Sequence, residues 1–287
     1  MTDQYKMNYG VANSGWQNPW IYNARYAVLI VGGSTDSSEN FAAFANDVKS
    51  MYSVLKNKYN YNTENLFVHR WNLHKGLHAD GIDYAGPADW RVDDAHHDEW
   101  GDGINQTFEK IRPKMTKNDF LYLMFVGHGL MTADGNGRGG FVGYDCESGD
   151  KLNIYYGRIE GKYYHIDGEL DNLNYMRVVL VFAACGSGTA VQGTNSEPGA
   201  NLKDDNRIII TSCEKNEYTP ATPTRDHVFF LWHDWVSNGF VYKYANSGFI
   251  SVESAYQSGL DAVNAYNPWP THPLRWNDGV KASCTYL

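Results

Sequence analysis

The chain is poor in cysteine and in positive charge, and both shortages exclude broad classes of protein. Its 287 residues hold four cysteines, Cys146, Cys185, Cys213 and Cys284. No two of them form a CxxC pair, so a thiolate zinc site is not expected. If one is a free nucleophile, the other three cannot all pair, and a disulfide scaffold is not what organises the fold. Lys and Arg number 24 against 33 Asp and Glu, a formal charge of −9. That balance argues against nucleic acid as the main partner, because phosphate binding needs basic patches. No apolar run is long enough to span a bilayer. The opening stretch, MTDQYKMNYGVANSGW, has no basic segment leading into an apolar one, so no signal peptide is visible, and the compartment stays open. Neither GxGxxG nor GxxxxGK[ST] surrounds Gly32-Gly33, which removes a phosphate loop, and no GxSxG elbow is centred on Ser187. Internal repeats and low-complexity segments are also absent.

Apolar residues make up 43% of the chain, ample for the core of one large α/β domain. Tyr26 to Gly33 (YAVLIVGG) reads as a fully buried strand. Asn40 to Tyr59 carries Phe41, Phe44, Val48, Met51, Tyr52 and Leu55 at helical spacing, and Asn65 to Arg70 is a second strand. This β-α-β opening favours a parallel sheet with right-handed crossovers. Trp71 to Asp102 is long, irregular and partly acidic, and its charges between Asp80 and Asp102 read first as a solvated loop. Ile104 to Met115 reads as a helix, Phe120 to Val126 as a strand, and FVGYDCE as a short antiparallel extension after a Gly-rich turn, Ala133 to Gly140. Val178 to Cys185 and Arg207 to Ser212 are further strands. Gln192 to Asn206 reads as an exposed loop. Asp226 to Asn238 and Ser251 to Asn264 read as helices, the second capped by Ser251. The Pro-rich tail, NPWPTHPLRWNDG, reads as irregular.

Two of these strands end in reactive side chains. FLYLMFV runs straight into Gly127-His128-Gly129, and VVLVFAAC delivers Cys185 to a tight turn, Gly186 to Thr189. Open α/β sheets place their chemistry outside the carboxyl ends of the strands. A thiol needs a base or a lowered pKa to become a good nucleophile, and imidazole is a common activator. A strand-end histidine that merely caps the sheet, and a cysteine that merely fills the core, are the plain alternatives. The glycines flanking His128 and the Gly-Ser-Gly after Cys185 favour the chemical reading, because they end the strands and leave room for a substrate. Cys213, at the end of IIITSC, reads as an ordinary core thiol.

A strand ending in His-Gly, followed along the chain by a strand ending in Ala-Cys-x-Ser-Gly, resembles the cysteine peptidases of the caspase and legumain type. The motif pattern is most similar to the prokaryotic legumain-like members. The resemblance covers about residues 26–278 of a single domain. It implies a three-layer caspase-like α/β fold with a mainly parallel six-stranded sheet flanked by helices; a helix over Gly168 to Tyr175 rests on it more than on periodicity. The implied function is endopeptidase chemistry through a Cys185–His128 dyad and a thioester. It also implies an oxyanion hole built from the backbone N–H groups of Gly129 and Cys185. Transfer of the thioester to an amine, as in a transamidase or ligase, and a silent peptide-binding relative are the alternatives.

The implied specificity pocket departs from the family. Relatives carry Glu, Asp or Gln two residues before the nucleophile, where this chain has Ala183; the legumain Arg-His pair corresponds to Ala42 and Ala43. Strict preference for Asn or Asp before the scissile bond is therefore not expected. Asp36, Glu39, Thr211, Ser212, Glu214 and Glu217 remain as candidates to line the pocket. The polar loop Gln192 to Asn206 matches a linker that caspase-like enzymes often cut during activation, so self-nicking there is an open expectation. No cofactor and no metal is called for: Asp134-Gly-Asn136-Gly lacks the Glu that would complete a calcium loop, and His74, His78, His96 and His97 read as solvated loop residues. The expected partner is a peptide or protein substrate.

Overall fold

The computed structural model describes residues 22–32, 39–70, 103–130, 139–144, 151–160, 164–222, 227–228, 230–232, 237–265, 271–278 and 282–287. The elements, in chain order, are β1 (Arg25–Val31), α1 (Glu39–Ser53), β2 (Leu66–Arg70), α2 (Ile104–Ile111), β3 (Phe120–Val126), β4 (Gly129–Leu130), β5 (Gly140–Tyr144), β6 (Lys151–Tyr155), α3 (Ile166–Asp171), β7 (Arg177–Ala183), α4 (Thr189–Gln192), β8 (Arg207–Thr211), α5 (Phe240–Asn246), α6 (Val252–Ala265) and β9 (Leu274–Asn277). The chain is an α/β protein whose central sheet runs β2-β1-β3-β7-β8-β9. The first five strands pair in parallel and only β9 is antiparallel. A small antiparallel sheet, β4-β5-β6, grows from the end of β3. Among the described residues, no helix is long and apolar enough to cross a membrane.

Why the central strands read as unbroken apolar runs follows from this topology. A parallel strand inside a sheet covered on both faces has no solvent side. Every residue of β3 and of β7 is buried. Alternate residues serve opposite faces. Tyr122, Met124, Val126, Val179, Val181 and Ala183 belong to one core with Val48 and Met51 of α1, Phe240 of α5 and Val263 of α6. Leu123, Phe125, Leu180 and Phe182 belong to the other, with Phe108 of α2, Leu170 of α3 and Phe141 of β5.

Most expected elements are present with small shifts. Helix α1 runs on into a π-helical turn, Val54–Lys58, and α2 stops at Ile111 ahead of Pro113. The Gly168–Tyr175 helix is the six-residue α3, centred earlier. Ser251 caps α6, its Oγ accepting from Ser254 N–H at 3.2 Å. Two expectations fail. Residues 227–228 and 230–232 are not helical: Val228 forms a β-bridge with Ala221, and Phe240 N–H and Val241 N–H donate to Phe230 and Leu231 carbonyls. Residues 226, 229 and 233–236 of that stretch lie outside the described residues, and the helix that follows is α5, behind Gly239 with φ of 135°. Clustered aromatics fit a helix and a buried irregular strap equally well, which is why periodicity misled at 227–228 and 230–232. The tail, expected to be irregular, supplies β9. It begins directly after Pro273 on the sheet edge, where a proline interrupts no ladder. Gln192 to Asn206 is only partly exposed, since Leu202 is fully buried and its N–H donates to Ala190 O at 2.9 Å.

Arg207 fixes the start of β8. Its guanidinium is fully buried, with Nη1 on Asp167 Oδ1 and Nη2 on Asp171 Oδ1, each at 2.7 Å. It also donates to Leu202 O at 3.1 Å and to the Tyr175 hydroxyl at 3.0 Å. One side chain thus ties α3, the loop after α4 and the central sheet together. Removing one partner of a buried ion pair leaves charge unpaired. Arg207→Leu is expected to cost about 3 kcal/mol of unfolding free energy in urea titration, near the lower end for such pairs, because Asp171 is half exposed and rehydrates.

Candidate active site

The β3–β7 ladder decides where the two strand-end side chains go. Val126 is the register partner of Ala183. Two residues further along each chain stand His128 and Cys185, so they occupy matching places at the ends of neighbouring strands. Adjacent strands lie about 4.8 Å apart. The period of two gives His128 the parity of Met124 and Val126, on the side covered by α1, while Cys185 stands at the matching place where the chain leaves β7 and turns. Phe44 of α1 meets the His128 ring edge-on, with centroids 5.2 Å apart and an interplanar angle of 90°. The pairing persists past the strands: Gly127 N–H donates to Ala183 O at 3.2 Å. Gly129 lies flat on the turn that Cys185 opens, where an added Cβ would sit 1.8 Å from Cys185 O.

Cys185 opens a tight turn rather than extending the strand. Ser187 N–H donates back to Ala184 O at 3.1 Å, and Gly186 has φ of 65°, a conformation that suits glycine. Cys185 is a free, partly exposed cysteine. Burial pushes its thiol above the usual value; the amides of Thr219 and of Cys185 itself oppose this, and nearby Cys213 adds to the rise. The Thr219 N–H reaches the sulfur at 3.4 Å. Burial thus disfavours the charged form of this sulfur, and a neighbouring base is the usual means of activating such a thiol.

The other sequence candidates divide. Ala183 is fully buried in the α1-side core. Thr211 and Ser212 are also buried: Thr211 donates to Cys213 O at 3.0 Å and accepts from Leu274 N–H at 3.3 Å, a strap between β8 and β9. All three are closed off from solvent, Ala183 by the α1-side core and Thr211 and Ser212 by β9 and by the contacts of Ser212 with the Ser187 and Thr219 hydroxyls. Glu214 and Glu217 do lie beside the turn. Glu217 O accepts from Gly186 N–H at 2.8 Å, while its carboxylate accepts from Glu214 N–H at 3.0 Å and His272 N–H at 2.8 Å. Burial would raise this carboxylate, but the hydrogen bonds from the His272 side chain and from those amides hold it below its usual range. Glu39 begins α1. Asp36, Cys146, the side chains of Glu39 and Cys284, Asp134, Asn136 and the four loop histidines lie outside the described residues.

Two participants were not anticipated from sequence. Thr219 is one, and no local motif marks it. The other is Asp47, fully buried on α1 one turn after Phe44. Its Oδ1 pairs with His227 Nδ1 at 2.7 Å and its Oδ2 accepts from Val228 N–H at 2.8 Å. His227 also stacks on Trp232, with centroids 5.0 Å apart. Asp47 therefore joins the helix that touches His128 to the segment that follows Thr219. An Asp inside an otherwise apolar helical stripe was the available signal.

The chain matches no known protein-family profile and no curated protein. It is similar in structure to a crystallised protein of Geobacter sulfurreducens from a structural-genomics programme, with a TM-score of 0.52, 13% identity, and coverage of 92% of this chain and 99% of the other. At that identity the likeness speaks for the fold, an α/β architecture with a mainly parallel six-stranded sheet.

Two outcomes test this geometry. Gly129→Ala is expected to lower stability by about 1–3 kcal/mol, the usual cost of overpacking, with Gly199→Ala as a neutral control because its Cβ meets nothing within 4 Å; paired denaturant titrations check both. Burial lifts Asp47 from 3.8 to about 6 against the opposing bonds from His227 and Val228. The native state then binds the proton more tightly than the unfolded chain, so this group's contribution is complete below 3.8 and is lost as pH rises through about 6. Asp47→Asn is expected to flatten the melting temperature across that window, as followed by thermal unfolding at several pH values.

Proposed function

We propose that this chain is a cysteine endopeptidase with a caspase-like fold, in which Cys185 is the nucleophile and His128 its acid–base partner. The observation that carries the reading is the register match: two reactive side chains at equivalent positions on adjacent parallel strands, with Gly129 pressed on the Cys185 carbonyl. The strand-end motifs add to it. The fold-level likeness to a protein of the same architecture is compatible with it and does not discriminate among functions.

In this reading His128 removes the thiol proton as the sulfur attacks the peptide carbonyl carbon. The carbonyl oxygen becomes an oxyanion facing the N–H groups of Gly129 and Cys185. The C–N bond breaks, the amine leaves with the proton held by His128, and an acyl-thioester remains on Cys185. Water, deprotonated by His128, then releases the acid and restores the thiol. Because burial holds the resting thiol above its usual value, the base is needed in the first step.

A positional-scanning peptide library with mass-spectrometric product identification tests the proposal. Cleavage by the wild type, its loss in Cys185→Ala, and a drop of about a hundredfold or more in His128→Ala with unchanged melting are expected. Wild-type rates in Cys185→Ala would overturn the assignment. With Ala at 42, 43 and 183, selective cleavage after Asn or Asp is not expected. Products joined to an added amine, in place of free acids, would turn the reading to transamidation.

A further inference from the structure

The surroundings of the sulfur single out Thr219, which sits 34 residues beyond Cys185 and belongs to no motif. Its N–H points at Cys185 Sγ from 3.4 Å. Its hydroxyl donates to Ala184 O, the carbonyl just before the nucleophile, at 3.0 Å. The same hydroxyl lies 2.6 Å from Ser212 Oγ. Since the Thr219 proton is committed to a carbonyl, Ser212 must be the donor of that short contact. Ser212 is buried and lies within 3.4 Å of the equally buried Ser187 Oγ. Ser187 in turn lies 3.5 Å from Cys213 Sγ. A chain of buried hydroxyls therefore holds Thr219 by its side chain while its amide faces the reactive sulfur.

The adjoining residues make the placement firm. Glu217 O takes the N–H of Gly186, the residue after the nucleophile, and Cys213 Sγ approaches the same oxygen at 3.4 Å. The residues on both sides of Cys185 are thus bonded to residues 217–219, and the sulfur between them receives the Thr219 N–H. A donor fixed on sulfur favours the thiolate over the thiol, as any hydrogen bond to the charged form does.

We propose that Thr219 is a positioning residue for Cys185: the Ser212–Thr219–Ala184 hydroxyl bridge aims the Thr219 amide at the sulfur and so sets how readily the thiol ionises. The inference rests on the reading of Cys185 as a nucleophile, but its readout needs no peptide substrate. It concerns a step without group transfer, in which the proton leaves sulfur for a base and the amide stabilises the anion left behind.

The test is the pH dependence of Cys185 alkylation by iodoacetamide in the full chain, read by mass spectrometry on the Cys185 peptide so that Cys213 does not interfere. Thr219→Val keeps the branched shape and removes the hydroxyl. It is expected to slow alkylation at neutral pH by roughly tenfold, about what one hydrogen bond to a charged acceptor is worth, and to move the rate profile to higher pH. Thr219→Ser, which keeps the hydroxyl, is expected to restore most of the rate. Ser212→Ala, which removes the donor to Thr219 together with the longer contact to Ser187, is expected to fall between them and serves if the valine variant does not fold. An unchanged rate and pH profile in Thr219→Val, or in Ser212→Ala should that be the variant that folds, overturns the proposal. Failure of the wild type to cleave any peptide would sink the peptidase reading alone, because the alkylation profile is read without cleavage.

Discussion

The parallel pairing of β3 with β7 is the constraint on which the site depends. Their ladder runs unbroken from Phe120 opposite Arg177 to Val126 opposite Ala183. Because side chains alternate with a period of two, a slip of one residue would turn one strand's side chains to the wrong core and break the register that brings the ends of the two strands, and with them His128 and Cys185, level. Burial of both faces makes such a slip costly, since every residue of either strand would change cores. The site therefore inherits its geometry from the packing of the whole domain. Gly129 shows how little slack remains, because its neighbour across the gap is backbone and cannot swing aside.

The parts legible in the sequence were those written as local pattern. Buried parallel strands give continuous apolar runs, and the strands carrying His128 and Cys185 could be bounded to within two residues. Helix α6 was marked at its start by the Ser251 cap. What escaped was decided by tertiary contact. The helix expected over Asp226 to Asn238 fails at residues 227–228 and 230–232, because Phe230 and Leu231 are apolar enough to fill either a helix face or a strap against α5. Strand β9 is short, lies on an edge and follows prolines, so it has neither length nor alternation to display. The pocket candidates Thr211 and Ser212 were misplaced by a subtler rule: polar residues at a strand end are commonly exposed, but here β9 and the hydroxyl chain close over them.

Long-range polar contacts were the least legible. Asp47 finds His227 across 180 residues, and Thr219 reaches Cys185 across 34. Neither spacing is a motif. Both contacts act on the same segment from opposite ends. Thr219 holds it to the Cys185 turn, and the Val228 amide holds it to α1 through Asp47. Helix α1 in turn carries Phe44 against His128. The post-β8 segment thereby spans the two sides of the site, and a fully buried carboxyl is the anchor of its far end.

The groups around the Cys185 sulfur bear on its ionisation in both directions. A helix N-terminus is one common means of lowering a thiol pKa. The helix after Cys185 offers little of that, because α4 is only four residues long and begins at Thr189, and a macrodipole needs aligned turns. Burial acts in the opposite direction and raises the thiol. Two isolated amides remain, those of Thr219 and Cys185 itself, and they offset the burial only in part, since the net shift is still upward. Under the proposed reading the resting enzyme therefore keeps the proton on sulfur, and His128 takes it when substrate is in place. In that reading the step is general-base catalysis, which differs from a preformed thiolate–imidazolium pair in requiring the base within the attack step.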